Sequence, residues 1–339
     1  MTSFGRVAIV ASAVKITQHY SLTAIARSLA TALLLVLLAS GCRNATRFSG
    51  PAGTPSDPAG YPNANLLVSV SWLNEHLHDP DLRLIDLSSS GVYDDGHIPG
   101  AVHLWWQDTI EVHNEVYGMM AGAPELEKLV TSAGITPKSH VVLYDDNGNR
   151  WASRFLWVLN ANGFTNVSLL NGGRQAWTAA GYGLMKATPT VAAGWLDLTL
   201  DYQVLIGADT LAQHLHDPGY VIVDNRTPGE QTENWYGRLR FGQIPGAKQI
   251  PWTALTEVGS IPYFADPASL RARFVDAGVT PDKTVVVYGL DGVSAAPTYV
   301  ALKLLGYPNV LLYDGSWSEW GANANLPIDP LPAQAVSTK

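Results

Sequence analysis

The chain has 339 residues, of which 47% are hydrophobic and 15% are charged. These values are typical of a globular protein with room for two ordinary domains, and they exclude an intrinsically disordered one. The formal net charge is −8, which argues against nucleic acid as a partner because phosphate contacts require clustered lysine and arginine. The single cysteine, Cys42, excludes an intramolecular disulfide and a metal site built from cysteines.

The first 42 residues have the features of a bacterial export signal. Lys15 and Arg27 supply positive charge, and a leucine-rich run without charges follows from Leu29 to Ala39. That run is too short to cross a bilayer comfortably and suits the core of a signal peptide. Small residues and then Cys42 end it, which resembles the lipobox of bacterial lipoproteins. We therefore expect lipidation at Cys42 and anchoring to a bacterial membrane in the cell envelope.

Two alternatives to lipid anchoring remain open. Cleavage of an ordinary signal would release a periplasmic or secreted protein, and an uncleaved segment would serve as an anchor. Residues 43–65 are rich in proline, glycine, serine, asparagine and alanine, which predicts a flexible tether before the folded part.

The rest of the chain alternates short apolar strands with amphipathic helices, twice over. In the first copy we predict strands at Leu84–Ile85, Val141–Leu143 and Val167–Leu170, with helices between them at Glu125–Ala133 and Ala152–Ala161. In the second copy the same order gives Tyr220–Val223, Leu270–Ala277, Val285–Val287, Pro297–Leu305 and Val310–Tyr313. Short β-branched runs with helices between them predict an α/β fold with a mainly parallel sheet flanked by helices in each copy.

Four motifs occur in both copies, in the same order and about 140 residues apart, which indicates a duplicated domain rather than a solenoid. The pairs are His76–Pro80 with His214–Pro218, Asp95–Trp106 with Phe241–Trp252, Leu129–Gly148 with Phe274–Gly292, and Asn166–Trp177 with Asn309–Trp320. We place the first domain at residues 66–183, a linker at 184–203 and the second domain at 204–328.

Together these motifs resemble a tandem rhodanese of the thiosulfate and mercaptopyruvate sulfurtransferase family. The resemblance rests on G-[HQ]-I-P-G-A at Gly96–Ala101 and Gly242–Ala247, on the strand-ending Asp86 and Asp224, on the turn A-G-[IV]-T-P, and on YDGSWSEW at Tyr313–Trp320. It covers about residues 66–328. We interpret the Ile-Pro-Gly turns as structural, since proline fixes φ and glycine accepts a positive φ. The tryptophans of these motifs, such as Trp105, Trp106, Trp252 and Trp320, we assign to packing rather than to a ligand cage.

The resemblance implies ping-pong sulfur transfer through a cysteine persulfide. In the family this cysteine directly follows the tyrosine that ends the central strand, inside a loop of inward-pointing amides, and a basic residue five positions later commonly binds the substrate. Here Gly289 occupies the cysteine position and Ser294 the basic position, and Asp145 stands at the cysteine position of the first domain. All three positions are degenerate, so we expect no catalytic residue in either domain. The resemblance also implies that Asp145 plugs its loop by accepting the amide hydrogen bonds.

Without a side chain at position 289, the second loop is expected to leave a small cavity with inward amides that holds an anion. The candidate residues for that anion pocket are Gly289, Leu290, Asp291, Gly292, Val293 and Ser294.

Other sources of chemistry have weak support in the sequence. Ser294 has no nearby His or Lys to activate it, and Asp291 at the loop tip is typical of a solvated acid. Asp145, Asn147 and Asn149 have the spacing of a calcium loop, but Arg150 and Leu156 stand where that loop needs Gly and Glu. We therefore predict neither a metal site nor a cofactor.

The sequence thus favours a rhodanese-like protein of the cell envelope without enzymatic activity, which binds a partner protein or a small anion. The first alternative is a working sulfurtransferase that passes sulfane sulfur to a thiophilic acceptor, which would require an unrecognised nucleophile or a thiol supplied by a partner. A serine- or acid-based hydrolase on the same scaffold is a weaker third hypothesis.

Overall fold

A computed structural model describes residues 60–232 and 239–331 of the chain, which belong to one compact unit. The predicted export signal, Cys42 and the tether up to residue 59 lie outside the described residues. Within those two ranges, every helix falls short of the length and hydrophobicity that a membrane span requires.

The first domain holds seven strands and five helices within the described residues. The strands are β1 (Leu67–Val68), β2 (Leu82–Asp86), β3 (Val102–His103), β4 (Ile110–His113), β5 (Val116–Met120), β6 (His140–Tyr144) and β7 (Val167–Leu170). The helices are α1 (Val70–His76), α2 (Ser90–Asp95), α3 (Ala123–Ser132), α4 (Arg150–Ala161) and α5 (Gly173–Ala179), with short 3-10 helices at Ala64–Leu66 and Trp106–Thr109.

The described part of the second domain repeats this order without the β4–β5 hairpin. Its strands are β8 (Leu205–Ile206), β9 (Tyr220–Asp224), β10 (Lys248–Gln249), β11 (Thr284–Tyr288) and β12 (Val310–Tyr313). Its helices are α6 (Ala208–Gln213), α7 (Pro228–Thr232), α8 (Pro267–Asp276), α9 (Gly292–Leu304) and α10 (Ser316–Trp320), with a 3-10 helix at Trp252–Leu255.

Each domain is built on a five-stranded sheet in which every pairing is parallel. The order is β1-β7-β6-β2-β3 in the first domain and the equivalent β8-β12-β11-β9-β10 in the second. Because these strands are parallel, their carboxyl ends meet at one edge of the sheet, where open α/β folds place their sites. The predicted α/β class, with two domains of mainly parallel sheet flanked by helices, is confirmed.

The two domains share one hydrophobic core, because α4 and α9 pack against each other across the boundary. Trp157 and Phe155 on α4 and Tyr299 and Leu302 on α9 are almost completely buried in it. Burial of apolar area contributes about 25 cal/mol per Å², so this joint core strongly favours a fixed arrangement of the two domains.

The folded part begins before residue 66. The side chain of Tyr61 is 7% exposed, and its hydroxyl donates a hydrogen bond to the carbonyl oxygen of Ala265 in the second domain. The backbone amide of Asn63 donates to the carbonyl oxygen of Leu304, 3.1 Å away. The last residues of the predicted tether are therefore attached to the second domain, although their sequence resembles that of a loop.

Candidate active-site loop

The loop that follows β11 lies at the carboxyl edge of the second sheet, between Tyr288 and the first turn of α9. Tyr288 is in register with Asp224, which ends the neighbouring strand β9. Each of the six candidate residues from Gly289 to Ser294 is buried. The sequence therefore placed the loop correctly in the fold, but the loop is closed rather than open to solvent.

The space beside Gly289 is already filled. A β-carbon built on Gly289 would collide with Oγ of Ser294 and would lie 2.6 Å from Oδ1 of Asn225 and 3.1 Å from the amide nitrogen of Ala295. Real β-carbons essentially never approach other atoms within 3.0 Å. This corrects the expectation of an empty cavity at position 289, because two neighbouring side chains occupy the place where a nucleophile would stand.

Asp291 and Ser294 form the capping box of α9. Oδ1 of Asp291 accepts a hydrogen bond from the amide of Ser294 at 2.8 Å, and Oγ of Ser294 accepts one from the amide of Asp291 at 3.3 Å. The hydroxyl of Ser294 donates to the carbonyl oxygen of Asp291 at 3.0 Å. Such a box satisfies amides that a helix start leaves unpaired. Asp291 is thus a buried N-cap instead of a solvated acid, and both partners of the Ser294 hydroxyl are backbone atoms.

The start of α10 covers the loop from the other side. The amides of Trp317 and Ser318 donate to the carbonyl oxygens of Gly289 and Leu290, at 3.0 and 2.9 Å. The amide of Gly289 in turn donates to Oγ of Ser316 at 3.2 Å. One of the amides expected to face an anion is therefore already bonded to a side chain of the protein.

The β4–β5 hairpin of the first domain lies directly over this loop. A β-carbon on Gly118 of β5 would come within 2.8 Å of Cβ of Asp291. The carbonyl oxygen of Gly118 accepts a hydrogen bond from Nη2 of Arg154 at 3.0 Å, and the amide of Met120 donates to Oδ2 of Asp314 at 2.7 Å. The loop is thus enclosed by both domains.

Behind the loop, a buried polar cluster joins β9 to β11. Arg226 and Asp224 are completely buried, with 2.6 Å between Nη2 of Arg226 and Oδ2 of Asp224. The hydroxyl of Tyr288 donates to the same carboxylate oxygen at 2.7 Å and accepts from the amide of Ile244 at 3.1 Å. Burial and the charge of Asp224 raise the pKa of Tyr288 well above its ordinary value, so the phenol remains a donor and ties the Ile-Pro-Gly turn to the strand ends.

The equivalent loop of the first domain has a different arrangement. Oδ1 of Asp145 accepts the amides of Asn147 and Asn149 at 2.9 and 2.8 Å, and Oδ2 accepts the amide of Ala152 at 2.8 Å. This is the plug that the family resemblance implies. Burial raises the pKa of Asp145 to about 6, against the lowering effect of the three backbone hydrogen bonds. Its carboxylate oxygens face amides, an arrangement unlike that of a calcium loop.

Two residues near these loops make contacts that we did not predict from the sequence. Asn225 follows the strand-ending Asp224 and fills the space beside Gly289, which single-sequence patterns do not reveal. Arg150 stands five positions after Asp145, the spacing at which the family carries its basic residue, and this spacing was a readable signal. Its guanidinium lies 3.5 Å from Oε1 of Glu230 and 5.1 Å from the ring centre of Trp252, both in the second domain.

The sequence predicts no metal site and assigns four tryptophans of the shared motifs to packing. No group of three or more His, Cys, Asp or Glu side chains suited to a metal ion occurs among the described residues. Trp320 is completely buried, and Trp106 and Trp252 pack against the joint core. Trp105 and Trp151 of the first domain meet edge-on, with ring centres 5.7 Å apart.

Comparison with known proteins gives matches over both domains. The model of the rhodanese-like domain matches residues 69–180 and 207–323, inside the two predicted domain ranges. The sulfur carrier protein TtuD of Thermus thermophilus is 37% identical over 284 residues, covering 79% of this chain and 98% of that protein. The thiosulfate sulfurtransferase of Pseudomonas aeruginosa is 34% identical over 265 residues, covering 78% and 97%.

A solved structure of the rhodanese fold also matches over both domains. SseA of Escherichia coli, a 3-mercaptopyruvate sulfotransferase of the rhodanese fold, superposes with a TM-score of 0.67 at 28% sequence identity. The match covers 74% of this chain and 98% of that one. Since the family model matches well over half of the chain and the similar proteins are covered almost completely, the chain belongs to the rhodanese-like domain family, with two copies of the domain in tandem.

Proposed function

We propose that this chain is a rhodanese-like protein without sulfurtransferase activity, which acts by binding. The observation that carries the proposal is the packing at Gly289, where Ser294 and Asn225 fill the space that a nucleophilic side chain requires. The chain after Cys42 contains no cysteine at all. Covalent sulfur transfer needs a thiolate that attacks and holds the sulfur atom, and neither the loop nor the rest of the folded part supplies one.

The similar proteins make sulfurtransfer the first alternative. Two of them are named as a sulfur carrier and a thiosulfate sulfurtransferase. For this chain to act in the same way, a second molecule would have to bring a thiol to the loop. That approach has to displace the Ser294 hydroxyl and the hairpin residue Gly118, which lies against Asp291. The closed loop therefore supports a binding role over a catalytic one.

The same closure favours a partner protein over a small anion at the loop. The carbonyl oxygens of Gly289 and Leu290 and the amide of Gly289 are bonded within the second domain. An anion would have to break the Gly289–Ser316 bond and enter beneath the hairpin, and each buried hydrogen bond broken without replacement costs about 1–3 kcal/mol. A partner protein needs only the outer surface of the two domains.

We further propose that the protein works in the cell envelope, held by lipid at Cys42. The support is the leucine-rich run from Leu29 to Ala39, followed by small residues and the single cysteine. Metabolic labelling with a fatty acid tests this proposal. The native chain should become labelled and a Cys42→Ala variant should not. If neither chain is labelled, the proposal of a lipid anchor at Cys42 is wrong.

Sulfur-transfer assays test the central part of the proposal. Purified protein is incubated with thiosulfate and cyanide, and thiocyanate is measured; in parallel, pyruvate is measured with 3-mercaptopyruvate as the donor. The Escherichia coli enzyme SseA serves as the positive control with 3-mercaptopyruvate, and the thiosulfate sulfurtransferase of Pseudomonas aeruginosa serves with thiosulfate. We expect both rates to equal the background without protein. A rate that is saturable in the donor and proportional to the protein concentration would establish the alternative.

A further inference from the structure

A cavity of about 400 Å³ lies beside α1 in the first domain, lined by the starts of β6 and β7 and by the edge strand β1. None of its lining residues belongs to the loops after Tyr144 and Tyr288, so the cavity is separate from the family's site. Its volume lies within the range of about 300–1,000 Å³ that is usual for pockets that bind small molecules. Neither the family resemblance nor the proposed function assigns it a role.

The lining of this cavity contains no charged side chain. It combines aliphatic residues such as Val68 and Val167 with the indole of Trp72, the imidazole of His140 and the short polar side chains of Ser69 and Thr165. A charged ligand would lose part of its hydration in this half-open cavity without gaining an ion pair, which is costly. The lining therefore selects for a neutral ligand.

Trp72 provides an aromatic wall that is held in place. Its ring stacks on His76, with ring centres 4.1 Å apart and an angle of 12° between the planes, and His76 Nδ1 lies 2.7 Å from the carbonyl oxygen of Trp72. His140 meets the indole edge-on, with ring centres 5.3 Å apart. A flat aromatic ligand can stack on or meet such rings edge-on, with about 0.5–1.5 kcal/mol gained beyond area burial.

A chain of hydrogen bonds determines the tautomer of His140. The hydroxyl of Ser168 donates to the carbonyl oxygen of Asn65 at 2.7 Å, which uses its only hydrogen. The Nε2 atom of His140, 2.9 Å from Ser168 Oγ, must therefore donate to that oxygen. Burial and the nearby His76 lower the pKa of His140, so the ring is neutral at neutral pH and its Nδ1 carries a lone pair. No described residue donates to Nδ1.

The same chain of bonds excludes a catalytic serine at this place. A nucleophilic serine needs a base that takes its proton, whereas the proton of Ser168 points to a backbone carbonyl and His140 is the donor. The pair positions His140 and leaves Nδ1 as an acceptor with no protein partner among the described residues.

We propose that this cavity binds a neutral, flat heteroaromatic molecule that packs on Trp72 and donates an N–H hydrogen bond to Nδ1 of His140. The ligand class differs from the anionic sulfur donor named for the relative from Pseudomonas aeruginosa. The proposal does not depend on the absence of sulfur transfer, because the cavity is in the first domain and shares no lining residue with the loop of Gly289 in the second.

A matched pair of probes tests the proposal at neutral pH. Benzimidazole carries one N–H donor, and 1-methylbenzimidazole has the same ring system without that donor. Calorimetric titration of the purified full-length protein should show saturable binding of benzimidazole, about fivefold tighter than that of its methylated analogue, which corresponds to one hydrogen bond of ordinary strength. In a His140→Phe variant, the two probes should bind equally.

Two further variants locate the binding. Trp72→Ala should weaken benzimidazole about tenfold, and Phe241→Ala, which removes an aromatic ring that is 62% exposed in the second domain, should leave the affinity unchanged. If Trp72→Ala unfolds, amide shifts of Thr165–Ser168 in the native protein provide the location instead. Absence of saturable binding, equal affinity of the two probes for the native protein, or shifts confined to other residues would overturn the proposal.

Discussion

Arg154 of the first domain and Asp314 of the second form a buried ion pair, with 2.5 Å between Nη1 of Arg154 and Oδ1 of Asp314. The arginine side chain is completely buried and the aspartate nearly so. The second oxygen of Asp314 accepts the amide of Met120, and the second Nη of Arg154 donates to Gly118. One pair of charges thus joins α4, the β4–β5 hairpin and the end of β12, and it holds the hairpin over the loop of Gly289.

Removal of one partner of this pair should be strongly destabilising. Asp314→Ala leaves the charge of Arg154 buried and unpaired, and we expect the free energy of unfolding to fall by about 3–5 kcal/mol. Urea denaturation measures this fall in the free energy of unfolding. The double variant Arg154→Met, Asp314→Ala should lose less than the single variant, because no uncompensated charge remains.

An exposed ion pair serves as the control for this prediction. Lys128 and Glu125 on α3 are 3.4 Å apart and largely solvent-exposed, so Glu125→Ala should cost less than about 1 kcal/mol. Equal losses for Asp314→Ala and Glu125→Ala would show that the interdomain pair has no special role.

The contact between the hairpin and the loop can be tested at Gly118. Gly118→Ala adds a β-carbon 2.8 Å from Cβ of Asp291, at a φ of +86°. Gly100→Ala is the matched control, because Gly100 has a φ of +82° and nothing within 4 Å of its β-carbon position. Both variants carry the strain of a left-handed alanine.

Only Gly118→Ala also carries the clash with Asp291. We therefore expect its free energy of unfolding to fall by about 1–3 kcal/mol more than that of Gly100→Ala. Thermal or urea denaturation of the two variants side by side gives the difference. If the two alanines prove equally destabilising, the hairpin does not rest on Asp291 as described.

Asp145 should make stability depend on pH in a characteristic direction. Burial raises its pKa to about 6, above the value of about 3.9 in an unfolded chain. The folded state therefore binds the proton more tightly than the unfolded state does. The resulting stabilisation of the folded state is fully present below about pH 4 and is lost as the pH rises through about 6. The change amounts to about 3 kcal/mol over that window.

Asp145→Asn removes this titration. Urea denaturation at several pH values should show the native protein losing stability relative to the variant as the pH rises from about 4 to about 7. At low pH the variant is expected to be less stable than the native protein. The side-chain nitrogen that replaces one carboxylate oxygen cannot accept the backbone N–H groups that this oxygen accepted. Parallel stability curves for the two proteins would contradict the raised pKa.

The packing beside Gly289 gives the fourth prediction. Gly289→Ala should lower the free energy of unfolding by about 1–3 kcal/mol, since its β-carbon meets Ser294 and Asn225. Gly91→Ala, at a position with nothing within 4 Å, is the control and should cost less. In a Ser294→Ala background the cost of Gly289→Ala should shrink, because one of the two obstructing atoms is gone.

Such coupling between positions 289 and 294 is measured by a double-mutant cycle in urea. Strict additivity of the two substitutions would mean that Ser294 does not occupy the side-chain space of Gly289. An open pocket for an anion at this loop would then regain support.

The sequence was informative wherever one local pattern sets the structure. Val167–Leu170 and Val310–Tyr313 are strands with the predicted bounds, because both are short apolar runs closed by polar or turn residues. The start of α9 was placed too late, at Pro297, since proline commonly opens a helix. The helix begins at Gly292 because Asp291 caps it, and Pro297 lies inside the first turns.

The state of the loop could not be read from the sequence, because it depends on side chains that are distant along the chain. Asn225 approaches Gly289 from another strand, and Gly118 approaches Asp291 from the other domain. That position 289 carries no side chain is local information and was visible in the sequence. Whether the vacated space stays open or closes is a matter of tertiary packing, and here Ser294 and Asn225 close it.

Mass spectrometry of the intact protein tests the central claim most directly. The mass of a Cys42→Ser variant, in which no thiol remains, is measured after incubation with thiosulfate or 3-mercaptopyruvate, with SseA of Escherichia coli treated in parallel with 3-mercaptopyruvate. We predict that the mass of the variant does not change while that of SseA increases by one sulfur atom. A gain of one sulfur atom by the Cys42→Ser variant would contradict the account.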